Sequence, residues 1–494
     1  MTPLLLCLAA FAQETAPSPE GAAETPPEAT DLDAAPTGPD RSGSPPVADP
    51  APLELEDLTR HQLPSGLEVW HVRIPRVRNV AVEMTWWRGA HELTDHDDAA
   101  ITLMSELWGV ASEKYDAAAL SELETLNDMA VYGTVLDHHA RVTLDVPLEN
   151  LDAGLDLMGD LALRPVFPKR EVRIAQDETE RWLTSIAPRS LGTVADRARD
   201  HAWFPADHPY GERFDLERYL DVKHKELPAI HAAVTAGRPV TLLVVGDIAF
   251  EDIAGPLEAQ FGDVVPADDK RAEPVAFTPP AANRVLAIDM PESEQVGIRM
   301  RIAAPSVEDP ARIPVSTSIW ALGGHFLARF NKNLREDKGW TYGVRSGYSA
   351  EPTYGTFSVK VDVPADKLAP AVTELERELA SVVDDGITSE ELDAGWRGAV
   401  KRFNDTRGTT DNALAFYRAR LFHERSVGEQ VRDLEARRAV TPEDARAVAS
   451  EWLGADSPRL WVFAGPRAEI EAGLAALGWD AEWITPDDAV HGRL

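Results

Sequence analysis

The chain reads as α+β, with two homologous layered domains arranged like a clamshell, each a mostly antiparallel sheet covered by helices. Three observations predict this. A chain of 494 residues is too long for one hydrophobic core. A long internal repeat divides it in two. Helical patterns also come in runs between strands, instead of alternating with them one for one as a doubly wound parallel sheet requires.

The repeat rests on two segment pairs. Leu144-Asp145-Val146-Pro147-Leu148-Glu149-Asn150-Leu151 recurs as Val361-Asp362-Val363-Pro364-Ala365-Asp366-Lys367-Leu368, with Pro147 and Pro364 lying 217 residues apart. Val240-Thr241-Leu242-Leu243-Val244-Val245-Gly246-Asp247 recurs as Leu460-Trp461-Val462-Phe463-Ala464-Gly465-Pro466, with Gly246 and Gly465 lying 219 residues apart. A helical pattern follows each member of the second pair. Nearly equal offsets in unrelated segments place one domain at 55–275 and its homologue at 276–494.

The elements follow in order. Residues 13–54 are Pro, Ala, Gly, Ser and acid with almost no large apolar side chain, so they bury too little to offset ordering entropy and read as a disordered linker. Residues 63–70 read as turn then strand, and 80–86 alternate like a half-buried strand. Helices are expected around 97–108 and 117–127, a strand at 140–146, and further helices to about 236. In the second domain, Gly323-Gly324-His325-Phe326-Leu327-Ala328-Arg329-Phe330 leads into Leu334-Arg335-Glu336-Asp337-Lys338-Gly339-Trp340-Thr341-Tyr342-Gly343. This reads as a helix running to Lys338, stopped by Gly339 in the left-handed cap position, then a strand carrying Tyr342. A guanidinium and a phenol are thereby expected close together around one corner.

Composition excludes some functions. A net charge of −34 argues against nucleic acid, whose phosphates would be repelled. The apolar run Leu4-Leu5-Leu6-Cys7-Leu8-Ala9-Ala10-Phe11 is too short to span a bilayer and resembles a signal-peptide core, with Ala10-Phe11-Ala12 as a cleavage site. Residues 1–12 are therefore expected to be a signal peptide, and the protein exported, periplasmic or secreted. Lipid attachment at Cys7 is the less favoured alternative, because Leu4-Leu5-Leu6 lacks the small residues such a site wants. Cys7 is the single cysteine, so a cleaved chain could form neither disulfides nor thiolate metal sites. No later segment is apolar for long enough to be a transmembrane helix.

The 323–343 block closely resembles the Arg/Tyr signature in the second domain of pitrilysin- and insulinase-type zinc peptidases (inverted zincins), relatives of the mitochondrial processing peptidase. His208-Pro209-Tyr210-Gly211 and the stretch from Ile230-His231 to Gly246-Asp247 resemble the same family. The resemblance covers roughly 55–484 and implies two homologous domains, with Arg335 and Tyr342 binding a substrate backbone carbonyl. His325 and Phe326 are candidates for the same chamber wall.

Active members of that family carry H-x-x-E-H on a helix of the first domain, where both histidines face one side to hold zinc and the Glu activates water. Aligned on Gly109, this chain has Ala100 and Met104 at the histidine positions and Leu103 at the glutamate position. None can serve. Glu106 reads as a solvated helix residue, and Glu178 or Glu180, near the third-ligand position, as surface charge. His138 and His139, adjacent in an expected strand, would point to opposite faces and cannot chelate together. His201 and His208 lack a clear third ligand. No Gly-x-Ser-x-Gly elbow or phosphate loop is present either.

The resemblance therefore implies a non-catalytic subunit, inactive alone and binding no cofactor itself. Zinc is expected in a homologous peptidase partner, forming a heterodimer in which Arg335 and Tyr342 act on a peptide substrate in trans. The alternative is an inactive pseudo-peptidase that binds peptides or proteins, or serves as a scaffold.

Overall fold

The computed structural model describes residues 58–494, apart from 206–207, 212–213, 236, 238, 265–270, 272 and 406–407. The expected signal peptide and the linker at 13–54 lie outside these residues. Two six-stranded sheets, both covered by helices, form the described chain. The first contains β1 (Leu58–Gln62), β2 (Glu68–Arg73), β3 (Asn79–Trp86), β4 (Ala130–Val135), β5 (Ala140–Pro147) and β6 (Val240–Gly246), in the order β1-β2-β6-β3-β5-β4. The second contains β7 (Arg284–Asp289), β8 (Gln295–Ala304), β9 (Arg345–Ala350), β10 (Gly355–Pro364), β11 (Arg459–Gly465) and β12 (Glu482–Ile484), in the order β12-β7-β11-β8-β10-β9.

The repeat is visible in the topology. β5 ends at Pro147 and β10 at Pro364, and each is followed by a single 3₁₀ turn and a long helix, Leu151–Leu163 and Leu368–Asp384. β6 and β11 hold equivalent places, each parallel to one neighbour, β2 or β7, and antiparallel to the other, β3 or β8. Only the outermost strands differ. β1 joins antiparallel at the start of its sheet, whereas β12 joins parallel at the end of the chain.

β6 and β11 are buried at every position, which requires cover on both faces of each sheet. One face packs on helices of its own half. In the first half these include Asp98–Leu107, Leu151–Leu163 and Phe250–Phe261. The opposite face is covered by a helix from the other half. Ala413, Leu414, Tyr417 and Leu421 of the Thr410–Phe422 helix pack on Trp70, Val72, Ala81, Leu243 and Val245 of the first sheet. Reciprocally, Val194, Ala195, Ala198 and Trp203 of the Leu191–Trp203 helix pack with Leu286, Ile288, Leu460, Val462 and Ala464 of the second.

Buried charge accompanies each cover. Glu83, fully buried on β3, accepts from Arg418 Nε at 2.7 Å and from Thr143 Oγ1 at 3.0 Å, with Arg141 Nε at 3.7 Å. Arg299, buried on β8, reaches Asp196 and Asp362, each at 2.8 Å. Removing one partner would strand a charge out of water, so these pairs specify how the halves meet.

Candidate functional site

The Arg312–Gly323 helix is buried along most of its length and ends at Gly323, where any side chain would strike Ser346 and Phe330. The chain then turns through 324–328, leaving Phe326 59% and Leu327 66% exposed. It re-enters helix at Arg329–Asn331, which widens into an i→i+5 turn over Lys332–Asp337. Such wide turns insert an extra residue and redirect side chains. Gly339 ends the segment at φ 66, the left-handed conformation expected from the sequence, and its amide donates to the Arg335 carbonyl at 3.1 Å.

Tyr342 is not on a strand, contrary to expectation. β9 begins only at Arg345, and residues 340–344 form an arch before it. The reason is a clamp from 13 residues upstream. The Asn331 side chain accepts from the Val344 amide at 2.7 Å and donates to its carbonyl at 3.2 Å. Thr341 Oγ1 also accepts from the Gly343 amide at 3.1 Å, closing a side-chain turn at the crown. Tyr342 stands 96% exposed on this arch and makes no hydrogen bond to a described residue.

Arg335 lies on the wide turn. Its guanidinium carbon sits 4.0 Å from the centre of the Phe326 ring, a cation–π stack. Nη1 is buried and has no hydrogen-bond partner among the described residues, and Glu336 is only a 3.6 Å neighbour of Nε. Arg335 thus keeps donors to spare. His325 stacks on Trp320 with ring centres 4.2 Å apart, and burial lowers its pKa. Phe326 and Arg335 are therefore brought together, His325 turns onto Trp320, and no hydrogen bond joins Arg335 to Tyr342.

The foundation beneath this surface is well tied. Arg329 makes a bidentate pair with Glu391, both contacts at 2.7 Å, and also donates to Ser381 Oγ and the Gly386 carbonyl. Asn333 donates to Glu374 and Glu378, and Lys338 pairs with Glu374 at 3.2 Å. Those anchors leave the exposed tip free of structural duty.

In the first half, Asp97 caps the Asp98–Leu107 helix by accepting from the amides of Ala99 and Ala100. Ala100, Leu103 and Met104 are all buried in the hydrophobic core and offer no metal donor. Glu106 corrects the sequence reading of a solvated side chain. One carboxylate oxygen is buried without a partner, the other accepts a hydrogen bond from the Tyr219 hydroxyl, and burial pushes its pKa up to about 7. Glu178 and Glu180 are exposed on the Lys169–Arg181 helix, whereas Thr179 between them is buried, with its hydroxyl 3.4 Å from Tyr219 Oη. The helix where the sequence resemblance expects a zinc motif thus presents apolar side chains and a Glu106–Tyr219–Thr179 chain, a set of groups that does not fit the metal. Among the described residues no three His, Cys, Asp or Glu side chains are grouped so as to hold a metal ion.

The histidines also need one correction. His138 and His139 lie in the turn joining β4 to β5, not in a strand. They still diverge: His138 meets His91 and Tyr210 edge-on, and His139 packs at a tilt against Trp87 and Phe422. Burial lowers their pKa values to about 4 and about 3, so both are neutral near pH 7. His208 contacts the Ala276 carbonyl at 3.1 Å and accepts from the Tyr210 amide, and Tyr210 Oη accepts from the Val275 amide. This histidine–tyrosine turn fastens the segment between the two sheets, a structural role.

The family described as "Peptidase M16 inactive domain" matches residues 221–397. An uncharacterized zinc protease of Mycobacterium leprae is 22% identical over 349 residues, covering 68% of this chain and 75% of that protein. One from Streptomyces coelicolor is 28% identical over 417 residues, covering 80% and 87%. A solved peptidase M16 inactive domain from Pseudomonas fluorescens superposes with a TM-score of 0.71 at 20% identity, covering 83% of this chain and 98% of that one. The periplasmic protease PqqL from Escherichia coli superposes with a TM-score of 0.69 at 12% identity; it covers 94% of this chain, which spans 50% of PqqL.

Proposed function

We propose that this chain, which belongs to the pitrilysin/insulinase-type peptidase family, is a zinc-less subunit completing the active site of a zinc-bearing homologue. It is a peptidase-like module of the inactive-domain type. The observation that carries the finer reading is the pairing of two features in one chain. The position of the zinc helix holds only Ala100, Leu103 and Met104, yet Arg335 and Tyr342 present donors that the fold itself does not consume.

In the complex, zinc in the partner would supply the activated water. Arg335 donates N–H to the carbonyl oxygen of the scissile peptide, held level by its stack on Phe326. Tyr342 adds a hydroxyl donor to the same oxygen as negative charge develops there. Donors aimed at developing charge in a site shielded from water are among the largest contributions to hydrolysis. His325 and Phe326 form part of the wall beside them. Export is part of this reading, and it rests on the apolar run at residues 4–11.

Reconstitution with a zinc-bearing homologue tests the proposal. The pair should cleave peptides that neither chain cleaves alone, and metal analysis should find zinc in the partner only. Tyr342→Phe should lower turnover on the order of 10²–10³ with no change in stability. Arg335→Ala should cost at least as much and also weaken substrate binding, because an ionised donor is the stronger one. Full activity of both variants, with the complex intact by sizing, would sink the in-trans role. It would leave a peptide-binding or scaffold role in its place.

A further inference from the structure

Guanidinium groups gather in one place in the second half, against the trend of a chain with net charge −34. Arg312 opens the Arg312–Gly323 helix, Arg402 lies on Ser389–Asp405, Arg420 on Thr410–Phe422, and Arg437 on Val427–Ala439. Arg425 lies in the connection between the last two helices. Two carboxylates lie among them. Asp433 accepts from Arg312 at 2.7 Å and lies 3.9 Å from Arg425, and Glu429 lies 4.0 Å from Arg425. Glu429 is also shared with Arg432 at 3.9 Å.

Arg437 and Arg420 hydrogen-bond only to neutral groups among the described residues. Arg437 donates to the hydroxyls of Ser316 and Thr317 at 2.7 and 2.8 Å, and Arg420 donates to the Gln430 carboxamide oxygen. Arg402 is exposed at the edge of the group, while Arg420 Nε and His423 Nδ1 are buried with no hydrogen-bond partner among the described residues. Burial, with Arg402 and Arg312 next, lowers the Arg437 pKa to about 10, and His423, buried beside Arg420, Arg425 and Arg312, is lowered to about 4. Like charges drawn out of water and toward one another destabilise a fold unless something answers them. Asp433 and Glu429 answer five guanidiniums only in part, although the chain has 83 acidic residues to draw on.

We infer that this cluster is a binding site for a small multivalent oxyanion, a phosphate- or carboxylate-bearing molecule, held by Arg402, Arg420 and Arg437. Planar guanidiniums with free N–H edges suit the paired oxygens of either group. Arg312 and Arg425 are mostly buried, with side chains 16% and 15% exposed, and of the three proposed ligands only Arg402 is exposed, which favours a small anion entering past Arg402 over the surface of a macromolecule. The site is separate from the Arg335 tip, which lies beyond the opposite end of the Arg312–Gly323 helix.

Titration of the full chain with pyrophosphate and, separately, citrate tests the site by heat of binding and melting temperature, with ionic strength held constant by sodium chloride. At least one anion should bind saturably and raise the melting temperature, and the one that binds tighter identifies the group recognised. Arg402→Gln should weaken that binding at least tenfold, while the ligand-free variant melts no lower than the parent because a repulsive charge is gone. Arg420→Gln should behave the same way. A purely structural arginine would instead lower stability without touching the titration. Neither anion exceeding the sodium chloride effect, or both variants binding like the parent, would overturn the inference.

Discussion

Among single residues, the contrast between Tyr342 and Glu106 is instructive. Tyr342 is 96% exposed, so its phenol contributes little to stability and its conservative replacement reads function cleanly. Glu106 is the reverse case, a carboxylate turned inward toward Tyr219 with its pKa raised from 4.5 to about 7 by burial. A raised carboxylate pKa contributes stability that is fully present below about pH 4.5 and lost as pH rises through about 7. Glu106→Gln keeps an acceptor for Tyr219 and removes the titration. It should stabilise the protein at pH 8 by roughly 1–3 kcal/mol and flatten the pH dependence of urea unfolding between those values. An unchanged slope across that window would show that the carboxylate is solvated after all.

One secondary-structure junction sets the candidate site. The wide turn Lys332–Asp337, the Gly339 cap and the Asn331–Val344 clamp together place Arg335 and Tyr342. A Cβ at Gly339 would meet nothing within 4 Å, so a substitution there is penalised only by its φ of +66. Gly339→Ala should therefore cost about 1–2 kcal/mol in chemical denaturation, the usual penalty for an L-residue in the left-handed region. Its effect on activity of the reconstituted pair should exceed its effect on stability, because the arch shifts with its cap. Asn331→Leu should release the 340–344 arch at Val344 and be seen as faster amide exchange there, since both clamp bonds are lost together.

At the scale of the whole molecule, reciprocal covering binds the two halves. Each sheet needs a helix from the other half to bury its second face, so neither half is complete alone. Arg418→Met should strand Glu83 in the interior and cost about 3–5 kcal/mol, nearer the low end because Arg141 remains 3.7 Å away. Adding Glu83→Gln should recover much of that loss, since no buried charge is then left unpaired. Guanidinium denaturation of the single and double variants decides it. Equal stability of the two would mean that Glu83 is answered by water rather than by Arg418.

Much of this was legible in the chain itself, because it depended on residues close in sequence. The paired Pro147/Pro364 and Gly246/Gly465 segments revealed the repeat, since each combines a strand with its own terminator. The left-handed cap followed from Gly339, and the apolar character of Ala100, Leu103 and Met104 already marked that face of their helix for the core. Tertiary structure decided the rest. Helical periodicity says that one face of Lys169–Arg181 is buried, but only the packing against Tyr219 selects Thr179 and leaves Glu178 and Glu180 in water. Glu106 looked solvated because nothing nearby in sequence announces Tyr219, 113 residues on. Tyr342 looked like a strand residue because its pattern is extended, whereas the side chain of Asn331 reaches across to delay β9. An apolar strand likewise states that both faces are covered without naming the cover. That choice is made by long-range complementarity, in the meeting of the Thr410–Phe422 and Leu191–Trp203 helices with each other's sheets.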